Sequence, residues 1–199
     1  MIVKIYPQNP DARRIEQVVE ILRNDGVIIY PTDSVYAYGC SLSSSKAIER
    51  IKTIRGKEAD RLTVACADLS QISAYARMDN DEFQILRRNF PGPFTFILNA
   101  SSKMPAKALE KRKTVGIRIP GHSVSQQIIK QLGCPMITAS VKNAEEEYTT
   151  DPELIEERYG RMVDAVIDGG YGQQIPTALV DLSGDEVVVL REGKVEVIL

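Results

Sequence analysis

The chain has 199 residues, 43 % of them hydrophobic and 26 % charged, with a formal net charge of −2 at pH 7, enough to bury a core over residues 1–199 as one domain without a metal or disulfide staple. Cys40, Cys66 and Cys134 are odd in number and lack CxxC spacing, which excludes a disulfide scaffold or zinc ribbon and suits the reducing cytoplasm. MIVKIYPQNP breaks at Pro7 and no apolar run approaches bilayer length, so neither a signal peptide nor a membrane span is expected.

In chain order, NPDARRIEQVVEILRNDG reads as a helix, with Asn9 as N-cap, Pro10 in the first turn, an Ile15, Val18, Val19, Leu22 stripe and Gly26 past its end. Val27-Ile28-Ile29-Tyr30 follows as a strand buried on both faces, and Pro31 stops it because it has no N–H to continue a ladder. The next residues, TDSVY, place hydroxyls where a hydrophobic run ends. They either close an Asx or ST turn through Asp33 or Ser34, or face a ligand. SSSKAIERIKTIRG is a second helix capped by Ser44 or Ser45, with an Ala47, Ile48, Ile51 face and Gly56 as stop. Then come the strand LTVAC, helices around LSQISAYA and DNDEFQILRRNF, the strands FTFIL and TVGIRIP, the helix SVSQQIIKQLG and the strand PMITAS. Helix DPELIEERYG and strands AVID, TALVDL, VVVLR and VEVIL complete a mixed α/β sheet.

Several chemistries drop out. The lone His122 cannot furnish a His-rich metal site, and GxSxG, HExxH and P-loop patterns do not occur. IDGGYGQQIPT lacks the strand–GxGxxG–helix setting of a dinucleotide loop and reads as a flexible turn. Charge is uneven: residues 1–142 carry 21 Lys/Arg against 13 Asp/Glu, and residues 143–199 carry 4 against 14. The basic residues bunch at Arg50, Lys52, Arg55, Lys57 and Arg61 and again at Lys107, Lys111, Arg112, Lys113 and Arg118. Each cluster is either a solvated face or a seat for phosphate or nucleic acid. Arg118 interrupts an apolar strand and therefore needs a fixed anion, which is either an internal Asp or a bound carboxylate. Ser140, Lys142 and Asn143 end one strand and Thr177 begins another, so each can deliver a polar group to a crevice at the strand ends.

GVIIYPTDSVYAYGC, AIERIKTIRG, PGPFTFIL, TVGIRIPGH, IDGGYGQQIPTALVD and VVVLREG, in that order over nearly the whole chain, resemble the YrdC/YciO family of threonylcarbamoyl-AMP synthases and their paralogues. The resemblance implies a single twisted, mixed-sheet α/β domain with a basic concave face. It implies a nucleotidyltransferase that joins L-threonine, bicarbonate and ATP, with Mg2+ on the nucleotide, into threonylcarbamoyl-AMP and pyrophosphate for N6-threonylcarbamoyladenosine in tRNA. Thr32, Tyr36, Arg118 and Thr177 then fall at the threonine pocket, with Arg118 as a bidentate carboxylate fork. Arg55, Thr114, Ser140 and Arg191 fall at the nucleotide, and Lys52, Lys57 and Lys142 at phosphate or RNA. No residue takes a covalent catalytic role and none binds a metal; the displacement needs alignment and charge neutralisation. The family is also associated with double-stranded RNA and with tRNA-modification partners.

Departures from the synthase pattern point to the YciO branch. KTIRGKEADRLTV sets Lys52 three residues before Arg55 and lacks the expected proline, SAN becomes SVKN, STV becomes TAL, and YGLG becomes YAYG. Tyr38 either narrows the pocket or packs on the sheet. Two other functions stay open: a YciO-type RNA-binding protein without synthase activity, and an adenylating or carbamoyl-transfer enzyme for another small amino acid.

Overall fold

The computed structural model describes residues 1–56, 62–109 and 111–199. Its strands are β1 (Ile2–Lys4), β2 (Ile28–Tyr30), β3 (Ala37–Ser41), β4 (Thr63–Ala65), β5 (Ala76–Arg77), β6 (Phe94–Ala100), β7 (Thr114–Arg118), β8 (Met136–Ser140), β9 (Ala165–Asp168), β10 (Ala178–Asp181) and β11 (Val188–Arg191). Its helices are α1 (Ala12–Arg23), α2 (Ser45–Arg55), α3 (Leu69–Tyr75), α4 (Asn80–Asn89), α5 (Ala106–Leu109), α6 (Ser123–Leu132), α7 (Glu147–Thr150) and α8 (Pro152–Tyr159). Among the described residues, no helix is long and apolar enough to cross a membrane.

All strands share one mixed sheet in the order β1-β9-β2-β3-β8-β4-β7-β6-β10-β11, with β5 paired to β6. Because side chains alternate across a strand, its two faces can be read from the register. One face, built from Tyr38, Val64, Phe96, Val115, Ile117, Ile137 and Val180, packs on Ile48 and Ile51 of α2, Ile72 of α3, Leu86 of α4 and Ile155 of α8. The opposite face is divided. Over β1, β9 and β2 and the adjoining ends of β3 and β8, it carries Val3, Ile28, Tyr30, Ala37, Met136, Ala165 and Ile167 against the stripes of α1 and α6. This core reaches Ala65 at the end of β4; farther along, at Thr63 and on β7, β6 and β10, neither core reaches that face among the described residues.

Local chemistry explains the helix ends and corrects two expectations. Helix α1 is capped by Asp11, which accepts from the N–H groups of Arg13 and Arg14, rather than by Asn9, whose own N–H closes a turn onto the Tyr6 carbonyl. Ser44 caps α2 through the Ala47 N–H, and Gly56 ends it at φ 57°, where a side chain is disfavoured. VEVIL at the C-terminus is not a strand. The Asn89 side chain takes the partner's place, accepting from Ile198 N–H at 2.9 Å and donating to its carbonyl at 2.8 Å.

Candidate active site

The uncovered part of the divided face forms the floor of a cleft of about 460 Å3. Thr63, Gly116 and Ile97 are direct cross-strand neighbours, as are Thr63 and Thr138, so one row runs over β8, β4, β7 and β6. Thr95 and Leu179 extend it to β10. Gly116 matters here: a Cβ would stand 2.8 Å from Thr63 Cγ2 and 3.3 Å from Thr95 Cγ2. The two methyl groups therefore close over bare backbone and make the floor centre apolar. The hydroxyls turn into the sheet. Thr63 donates to the Thr138 carbonyl at 3.2 Å, Thr95 and Thr177 share a bond of 2.8 Å, and Thr138 accepts from Tyr30 OH at 3.0 Å.

Arg55, Arg112, Arg118, Lys142 and Arg191 line the cleft, and among the described residues no Asp or Glu lines it. Arg55, at the last turn of α2, donates to the Ser140 carbonyl at 2.7 Å. Arg191 reaches the cleft through a β-bulge. The pairs Val180–Val189 and Leu179–Arg191 show one extra residue on β11, which turns Arg191 to the cleft side that regular alternation would deny it. Its Nε then donates to the Thr177 carbonyl at 2.9 Å. Arg118 is 5 % exposed, and its Nη2 donates to Asp33 at 2.5 Å, with Ser34 Oγ 3.4 Å away. The internal Asp anticipated as one alternative for this guanidinium is thus present.

The cleft brings together seven of the expected residues: Arg55, Thr114, Arg118, Ser140, Lys142, Thr177 and Arg191. It does not bring in Thr32, Tyr36 or Lys52. Thr32 is a turn residue behind Arg118, accepting from Ser34 N–H at 3.0 Å and donating to the Val35 carbonyl at 2.8 Å. Tyr36 is buried on the helix-covered side. Its hydroxyl donates to the Gly170 carbonyl at 2.7 Å and accepts from Gly169 N–H at 3.2 Å, tying down the glycine-rich segment; burial raises its pKa. Lys52 pairs with Glu49 at 3.4 Å. Lys57 lies outside the described residues. Tyr38 packs edge-to-face on Tyr159, with centroids 6.1 Å apart, on the side away from the cleft.

Sequence reasoning passed over Thr63, Thr95, Thr138, Gly116 and the partnership of Asp33, and named Arg112 only as a member of a basic cluster. The pattern was available: LTVAC, FTFIL and MITAS each set one threonine between apolar residues, the period of a sheet face that is polar on one side. His122, outside the cleft lining, holds a buried Nδ1 with no partner among the described residues, and burial lowers its pKa.

A family model for Sua5, YciO and YrdC proteins, described as "Telomere recombination", matches residues 20–193. The chain is 45 % identical over 192 residues to YciO of Escherichia coli (strain K12), covering 95 % of this chain and 93 % of that protein. The crystal structure of E. coli YciO superposes with a TM-score of 0.92 at 43 % identity, over 99 % of this chain and 97 % of that one. Threonylcarbamoyl-AMP synthase of Vibrio vulnificus (strain YJ016) is 28 % identical over 184 residues, 90 % of this chain and 98 % of that protein. P. abyssi Sua5 complexed with L-threonine gives a TM-score of 0.87 at 25 % identity, over 97 % of this chain and 57 % of the longer Sua5 chain.

Proposed function

The chain belongs to the Sua5/YciO/YrdC family, and from that membership we propose that its cleft binds L-threonine, bicarbonate and ATP and forms threonylcarbamoyl-AMP and pyrophosphate. The observation that carries this reading is a cleft in which five cationic side chains, Arg55, Arg112, Arg118, Lys142 and Arg191, surround a partly apolar floor. A triphosphate needs those cations, and a threonine methyl needs the floor. Arg118 and Thr177 serve the amino acid, while Thr32 and Tyr36 shape the wall from behind. Arg55, Thr114, Ser140 and Arg191 serve the nucleotide. Bicarbonate adds to the threonine amine with loss of water, and a carbamate oxygen attacks the α-phosphorus as pyrophosphate leaves. The protein's part is to align these groups and neutralise the charge that gathers between them. Magnesium belongs on the triphosphate, and among the described residues no carboxylate lines the cleft. The test is pyrophosphate release from ATP by the purified protein. Release that requires both threonine and bicarbonate is expected; none above a buffer blank, with the protein folded, rejects the reading.

A second reading, RNA or tRNA binding in place of synthesis, is favoured by one contact. Glu49 pairs with Lys52 at 3.4 Å and with Lys107 at 3.9 Å, so the two basic stretches lie side by side. RNA affinity that falls steeply with salt is the expected sign, because each neutralised phosphate releases counterions.

A further inference from the structure

Asp33 lies outside the cleft lining, yet the geometry converges on it. One carboxylate oxygen accepts from Arg118 Nη2 at 2.5 Å and the other from Gly121 N–H at 2.5 Å. Gly121 leaves the room for this approach, since a Cβ there would stand 3.1 Å from Asp33 Oδ2. The turn that carries Asp33 is closed on itself by Thr32, which bonds Ser34 N–H and the Val35 carbonyl. Arg118 is buried on the cleft wall, and its Nε has no hydrogen-bond partner among the described residues. A guanidinium carries five N–H groups in a rigid plane, so fixing one end aims the rest.

We infer that Asp33 is a positioning residue: it holds one end of the Arg118 guanidinium so that the remaining N–H groups meet the α-carboxylate of the amino-acid substrate. This rests on the reading of the cleft as an amino-acid site. The hydroxyls of the TDSVY turn build the platform, and the acid is its working end. An amide offers one acceptor where the carboxylate offers two, so Asp33→Asn can serve Arg118 or Gly121 but not both.

The full chain is titrated, with ATP present, against L-threonine and against L-threoninamide, which lacks the carboxylate. Wild type is expected to favour threonine, and Asp33→Asn to weaken threonine by about tenfold while threoninamide and ATP affinities stay put. An unchanged threonine-to-threoninamide ratio overturns the inference, as does an equal loss for all three ligands. A wild-type chain that ignores threonine rejects the substrate reading and the carboxylate role together. The hold on Arg118 is read separately, from Nε–H exchange in isotope-labelled protein without ligand: faster exchange in Asp33→Asn supports it, and equal rates overturn it.

Discussion

Met136 and Thr138 stand two residues apart on β8 and face the same side of the sheet, but one lies beneath helices and the other beneath the cleft. The same border crosses β4 between Ala65 and Thr63. On the covered side Val3, Ile28, Tyr30, Ala37, Met136, Ala165 and Ile167 are apolar or aromatic because α1 and α6 exclude water there. On the open side Thr63, Thr95, Thr138, Gly116, Arg118 and Arg191 stand beside Ile97 and Leu179, and the threonine hydroxyls bond to other strands of the sheet or to Thr177. The far face carries one apolar core beneath both halves, from Val166 on β9 through Tyr38, Ile137, Val64, Ile117 and Phe96 to Val180 on β10. The contrast teaches that the site arises where one layer of helix stops and the same strands turn threonine, glycine and arginine to the opening.

Several experiments break or sharpen this contrast. The largest effect belongs to the covered half. Ile128→Ala, at a fully buried position on α6, should lower unfolding stability by about 4 kcal/mol in a denaturant titration and leave ligand affinity of the folded protein unchanged. Arg118→Ala should lower stability by about 3 kcal/mol, at the low end for a broken buried pair because Asp33 keeps the Gly121 N–H; unlike Ile128→Ala, it should also weaken threonine binding. Arg55→Ala should cost about 1.5–3 kcal/mol of ATP affinity in calorimetry while leaving the fold intact. An unaltered ATP affinity removes Arg55 from the site. Thr138→Val takes the acceptor from the buried Tyr30 hydroxyl and should cost about 1 kcal/mol of stability. The smallest effect near neutral pH lies on the far face, where burial pushes the Cys66 thiol from 9.0 up to about 12. The unfolded chain loses that proton first. Its contribution to stability is therefore whole below about pH 9 and declines toward about pH 12, which a pH series of denaturant midpoints reads.

The parts legible in sequence were those with a local cause. Ser44, the Ala47, Ile48, Ile51 face and Gly56 announce α2 because capping, periodicity and the stop all lie within one segment. Strand β1 was not legible, since three residues beside a proline carry no period and form a strand only by pairing with β9. Residues 37–41 were hidden by their neighbours, because the hydroxyl-rich turn drew the reading past them. The need of Arg118 for an anion was legible; which anion was not, because Asp33 is far off in the chain and arrives only when β7 folds beside the turn. Arg191 was placed by resemblance, but the bulge that aims it depends on pairing with β10 and leaves no local trace.

That last strand sets the timing of the site. The cleft draws on Arg55 near the first quarter of the chain and on Arg191 near its end, with β10 and β11 joining β6 only after everything between has been made. Such long-range pairing is slow compared with the closing of a local helix. A growing chain that stops short of residue 191 can have α1, α2 and most of the sheet, yet lack one wall of the cleft. Nucleotide binding, on the proposed reading, is thus withheld until the chain has been made past residue 191 and β11 has paired with β10.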